Sequence, residues 1–298
     1  MVKVKQIIHS TINKFSIPDY AYINREDLTH VVLPEGMKSI GERAFACCKN
    51  LKTIVLPESL ESIGASAFLE CVNLEEVILP KNIKKLNYRV FGDCKRLKRV
   101  VIPEGVEELD WGVFAGCNNL EEIVLPESLK KIDKQMFLNC KKLKKVTLPT
   151  NITKLPDEFF RGCFNLDIVL NSNIIELGKS VFEDCYHLST FPEHVKSFGK
   201  NCFKNCRSIT SVSLNEHITV LPDGLFEGCT NLLSIDSQNK LNIGKRCFKN
   251  CENLENFDIY NLHVIPAEAF SNCKKLKKVR LLAKTISIES RAFYNCRN

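Results

Sequence analysis

The feature that most constrains this chain is a phenylalanine that returns every 21 to 23 residues, each time with a cysteine three positions later. Phe stands at 45, 68, 91, 114, 137, 160, 182, 203, 226, 248, 270 and 293. A unit that short cannot bury its own apolar side chains, so successive units must stack and cover one another. The segment from Ile17 to Leu28 aligns without gaps on Ile40 to Leu51, with Tyr22 in place of Phe and Arg25 in place of Cys. Counting that polar terminal copy gives thirteen units over 17–298, read as one repeat domain with no C-terminal cap visible. Residues 1–16 fall outside the repeat and are expected to form an N-terminal cap or tail, in which Val2, Val4 and Ile7 could lay a short strand over the first coil.

Each unit divides into three parts. Leu51-x-x-Ile54-x-Leu56 alternates in apolar character and stops at Pro57, which cannot donate to a ladder, so it predicts a strand. Leu60 and Ile63 then mark an inward-packing segment that often ends at Gly, as at Gly41, Gly64 and Gly178. The Ala-Phe-x-x-Cys-x-x-Leu part repeats at intervals of three and predicts a single helical turn. The whole reads as a solenoid with a parallel sheet on one face. Phe45, Phe68, Phe91, Phe114 and Phe137 would form a buried spine, beside a second column of Cys48, Cys71, Cys94, Cys117 and Cys140. After residue 149 the Pro that closes the strand becomes rare, and the shortened strands near Leu166–Leu170 and Leu188–Phe191 are expected to absorb deletions and change the local curvature.

Fifteen cysteines would suit a disulfide framework, but twelve occupy one repeat position and only Cys47, Cys202 and Cys247 lie elsewhere. Side chains in one column point the same way, which fits disulfide torsions poorly, so free buried thiols and a reducing setting are expected. Lys3 and Lys5 are followed by no apolar run of signal-peptide length, and no stretch approaches the roughly 20 apolar residues of a membrane helix. The expected location is cytoplasmic, or the cell surface if the start is incomplete, without membrane insertion.

The units resemble leucine-rich repeats of the BspA-like type. Ile63-Gly-Ala-Ser-Ala-Phe68-Leu-Glu-Cys71-Val-Asn-Leu74-Glu-Glu-Val77-Ile-Leu79-Pro80 carries almost every element of that pattern, and coverage of the chain is nearly complete. The resemblance implies a leucine-rich-repeat solenoid, a curved right-handed β/α superhelix, and a role in protein binding, often at microbial cell surfaces.

The outward positions supply the candidate sites. Glu75-Glu76, Lys98-Arg99, Glu121-Glu122 and Lys144-Lys145 follow one another in consecutive units, so unlike charges face each other between coils. Pairing between repeats explains such a ladder as readily as a patterned contact surface does. The basic runs Lys95–Arg99, Lys141–Lys145 and Lys274–Lys278 share this register and alternate with acidic coils, so nucleic acid is not the expected partner despite a net charge of +7. Val32, Val55, Ile78, Val101 and Val124 line up as an exposed apolar stripe fit for a partner, with strand propensity as the rival explanation. Tyr88 and Trp111 occupy equivalent positions in adjacent coils, either stacking on each other or forming an interaction hot spot.

No catalytic constellation, phosphate loop or dinucleotide fingerprint stands out, and Cys202 and Cys247 fill an apolar column rather than a metal site. The expectation is a scaffold without catalysis, metal or cofactor that binds a protein partner through its sheet face. A structural segment of a larger surface polypeptide is the alternative, and an enzyme is the remote one. Because the sequence stops at Cys296-Arg-Asn298, where another strand should begin, end-to-end association at the last coil is a further expectation.

Overall fold

The structure, a computed structural model, describes residues 6–7, 15–257, 264–279 and 287–297. Val2 and Val4 therefore lie outside the described residues. The described chain is a leucine-rich-repeat stack of parallel strands forming two compact units, Met1–Ile152 and Thr153–Asn298.

In the first unit each coil contributes two short strands rather than one. Strands His30–Val32, Thr53–Val55, Glu76–Ile78 and Arg99–Val101 form a parallel sheet, and Gln6–Ile7 pairs with the first of them. Glu122–Val124 and Lys145–Thr147 make a separate parallel pair on the same face. The Leu-x-x-Ile segment forms a second series of two-residue strands, among them Ser39–Ile40 and Ser62–Ile63. Here coils come so close that a Cβ on Gly64 would sit 2.5 Å from the backbone of Glu42.

The second unit repeats the plan with interruptions. Lys154–Leu155, Glu176–Leu177 and Ser197–Phe198 form a parallel sheet, and Ser211–Leu214 pairs with Ser234–Ser237. The strands expected near Leu166–Leu170 and Leu188–Phe191 do not form. Leu166, Ile168, Leu170, Leu188 and Phe191 are nevertheless buried, so the shortened coils keep their core contacts and lose only the ladder.

The helical turn expected around Ala-Phe-x-x-Cys is also absent. Residues two before and two after the spine aromatic hold left-handed backbone in every coil, from Tyr20 and Asn24 around Tyr22 to Arg291 and Asn295 around Phe293, with φ between 46° and 77°. A right-handed helix has no such residues, because left-handed backbone costs a non-glycine about 1–2 kcal/mol. The segment is instead a run of tight turns in which alternate amides point in different directions. Arg43, Phe45 and Cys47 donate N–H to Ala65, Ala67 and Leu69 of the next coil at 2.9, 2.8 and 2.7 Å. Ala46 and Cys48 donate within their own coil, to Arg43 and Phe45. The apolar spacing of three is the spacing of these turns.

This geometry stacks the rings. In the first unit, rings from Tyr22 to Phe137 lie nearly parallel, with neighbouring centroids 5.2 to 5.9 Å apart. In the second, the stack from Phe160 to Phe293 has spacings of 5.4 to 5.8 Å. The position before each Phe is buried in all twelve Phe coils, whereas the position five before it is looser: Ile132 and Phe198 are half-buried and Ile288 is exposed.

Phe91 is wholly buried between two stacked neighbours. Phe91→Ala should lower stability by about 3–5 kcal/mol in urea unfolding, while Phe91→Leu should cost markedly less because most of the volume remains.

Candidate interaction surface

On the sheet face of the first unit, alternation turns Val77, Val100, Ile123 and Val146 into the core and their neighbours outward. The five stripe residues are unequal. Val55, Ile78 and Val124 are 49%, 58% and 64% exposed, while Val32 and Val101 are half-buried. Val32 is in register with Val55, Ile78 with Val101, and Val124 with Thr147.

The charged rows beside the stripe pair along the stack. Lys98 Nζ lies 3.8 Å from Glu75, Arg99 contacts Glu76, and Lys144 Nζ lies 3.5 Å from Glu121. These exposed pairs contribute about 0–1 kcal/mol each. Among the described residues no ladder pairing joins Arg99–Val101 to Glu122–Val124 and no ion pair crosses between them. At this break an open groove of about 450 Å³ runs between Lys98 and Arg99 on one wall and Glu121 and Glu122 on the other. Lys144 and Lys145 also line it, so the two glutamates lie between two basic rows.

Tyr88 and Trp111 contact each other, with ring centroids 5.2 Å apart and planes tilted by 59°. Trp111 Nε1 donates to Gln135 Oε1 at 2.5 Å, and Lys134 Nζ sits 4.6 Å from the indole centroid. The pair is thus half-buried within its own contacts, away from the apolar stripe.

Sequence reasoning missed the sheet break and a small apolar notch in the second unit. The notch, about 80 Å³, is lined by Ile168, Leu170, Phe182, Leu188, Phe191 and His194. Its location was hinted at by the 22- and 21-residue spacings that follow Phe160 and Phe182.

The cysteine column has a clear structural task. Cys71, Cys94, Cys117 and Cys140 each donate Sγ–H to the carbonyl of the preceding coil's Phe, at 3.1, 3.2, 3.2 and 3.1 Å. A thiol is small and apolar enough for the core yet supplies a weak donor to a carbonyl that would otherwise carry only one bond. All fifteen cysteines are free, thirteen of them buried, and burial pushes the column's thiols up, Cys48 to about 11. Cys202 and Cys247 are fully buried members of the apolar column. Cys47 is half-buried, and burial together with Glu70 raises its thiol, which makes it a poor nucleophile. Among the described residues no three His, Cys, Asp or Glu side chains converge as a metal site would require.

The BspA type leucine-rich repeat region, a six-copy pattern, matches residues 15–144, 110–191 and 187–298. Among solved structures, a leucine-rich repeat protein from Bacteroides ovatus is 28% identical, with a TM-score of 0.84 over 97% of this chain and 76% of that one. A leucine-rich repeat protein from Eubacterium ventriosum is 21% identical over 94% of this chain and 88% of that one, with a TM-score of 0.64. A leucine-rich cell surface protein from Faecalibacterium prausnitzii is 22% identical over 97% of this chain and 86% of that one, with a TM-score of 0.58. The latter two show likeness of fold alone. No curated protein matches the chain.

The thiol column predicts a particular response to alkali. An unfolded chain releases thiol protons near pH 8.5, whereas the buried Sγ–H groups hold theirs, so the folded pKa lies above the unfolded one. Stability should be full below about pH 8 and fall by about 1 kcal/mol per buried thiol between about pH 8 and 9.5. Urea midpoints measured across that range should drop steeply, and a flat profile would mean the thiols are not buried as protonated groups.

Proposed function

The chain belongs to the BspA-type leucine-rich repeat family, and from that premise we propose that it is a non-catalytic binding scaffold whose sheet face receives a protein partner. The observation that carries the reading is the outward stripe: Val55, Ile78 and Val124 are exposed although the stack does not need their burial. Strand propensity favours β-branched residues singly, but several apolar side chains in neighbouring strands form a patch that water covers poorly and a partner can cover well. The short parallel strands hold that stripe rigidly, so binding need not order a loop.

The reading is tested by capturing protein from an extract of the source cells on the immobilised chain, then titrating the purified partner against Ile78→Glu and Val124→Glu. Both positions are solvent-facing, so folding should survive, as circular dichroism would check. Affinity should fall at least about tenfold for each, since a charge would be desolvated at the contact. Unchanged affinity for both variants would remove the stripe from the binding surface.

A further inference from the structure

The alternation that pairs the charged rows along the stack also makes the face self-complementary. Read in order, Glu75-Glu76, Lys98-Arg99, Glu121-Glu122 and Lys144-Lys145 run minus, plus, minus, plus. About a line parallel to the strands at the break between Arg99–Val101 and Glu122–Val124, the pattern is antisymmetric: every row has a row of opposite sign at the same distance on the other side. We propose that this face binds a second copy of the chain, related to the first by a two-fold axis along that line.

In such a face-to-face arrangement each position meets its mirror position across the axis. Lys98 and Arg99 face Glu121 and Glu122 of the other copy, and Glu75 and Glu76 face Lys144 and Lys145. An isologous contact needs this self-complementarity, and a four-row ladder centred on any strand, instead of on the break, would set like charges opposite each other. The stripe obeys the same operation, with Val101 meeting Val124 and Ile78 meeting Thr147.

The break supplies the second argument. Ion pairs lie on each side of it, Glu75 with Lys98 and Glu76 with Arg99 on one side and Glu121 with Lys144 on the other. Glu122 and Lys145 make no ion pair among the described residues, and the groove of about 450 Å³ is lined by three charged rows, Lys98 and Arg99, Glu121 and Glu122, and Lys144 and Lys145. A second copy places acid against Lys98 and Arg99 and base against Glu121 and Glu122, twice over. Four strand widths fall short of the roughly 800 Å² per partner of a standard stable interface, so the dimer is weak and depends on charge.

The inference rests on the sheet-face reading only for the use of that face. Sedimentation velocity at roughly 10 to 500 µM should show reversible dimerisation at low salt, weakened at least about tenfold in about 0.5 M salt. Lys98→Glu with Arg99→Glu should be monomeric, and so should Glu121→Lys with Glu122→Lys. Mixing the two variants should restore a dimer, because each supplies the sign the other lacks. The four-fold swap in one chain should also dimerise, since minus, minus, plus, plus is again antisymmetric about the break. A wild-type chain that stays monomeric at low salt, or a dimer indifferent to both reversals, would overturn the proposal. So would folded variants that fail to pair when mixed. If the wild type stays monomeric while Ile78→Glu still abolishes partner binding, only the dimer is lost; the opposite pair of results removes only the protein-partner reading.

Discussion

Within each of the two units, successive coils are locked together by amides that leave the turn segment instead of closing within it. That arrangement depends on left-handed backbone at two positions flanking each spine aromatic, Ser66 and Glu70 around Phe68 being one pair. The left-handed residues rotate alternate peptide planes, so Ser66, Phe68 and Glu70 reach the carbonyls of Tyr88, Val90 and Gly92 at 2.7 to 2.9 Å. Ring stacking follows from the same register, since one hydrogen-bonded coil spacing is also close to the contact distance of parallel rings. The thiols complete the arrangement by donating to the Phe carbonyls from within the core.

Much of this was legible in the sequence because it is a matter of period. The Phe interval identifies the coils, the column before Phe identifies buried positions, and Pro57 marks a strand end. The turn segment was misread for a physical reason: apolar residues at spacing three suit one helical turn and a run of tight turns equally well. A better signal was present two residues after the spine aromatic. That position is Asn, Gly or Asp in eleven of thirteen coils, from Asn24 and Asp93 to Asn295, and these are the residues that tolerate left-handed backbone. The strands lost near Ile168 and Leu188 could not be read from apolar pattern, since Leu166, Ile168, Leu188 and Phe191 remain buried without a ladder.

The surface was legible only in outline. The charge rows and the stripe were visible as columns, but the break between Arg99–Val101 and Glu122–Val124 has no marker in the strand sequences, which continue the repeat without change. The unequal exposure within the stripe, from half-buried Val101 to exposed Val124, likewise has no marker in the sequence, since both are valines at the same repeat position. A regular core therefore coexists with an outer face whose properties vary from coil to coil. That separation lets one repeat carry different surfaces without altering its packing.

The central claim is that left-handed turns, not helical ones, hold the coils together, and it is tested most directly at exposed Glu70, where φ is 58°. The measurement is equilibrium urea unfolding of Glu70→Gly beside Glu70→Val. The account predicts that glycine leaves stability unchanged or raises it by up to about 1 kcal/mol, and that valine lowers it by more than about 1 kcal/mol. A helical turn would give the contradicting result, with glycine costing about 1 kcal/mol and valine only a few tenths.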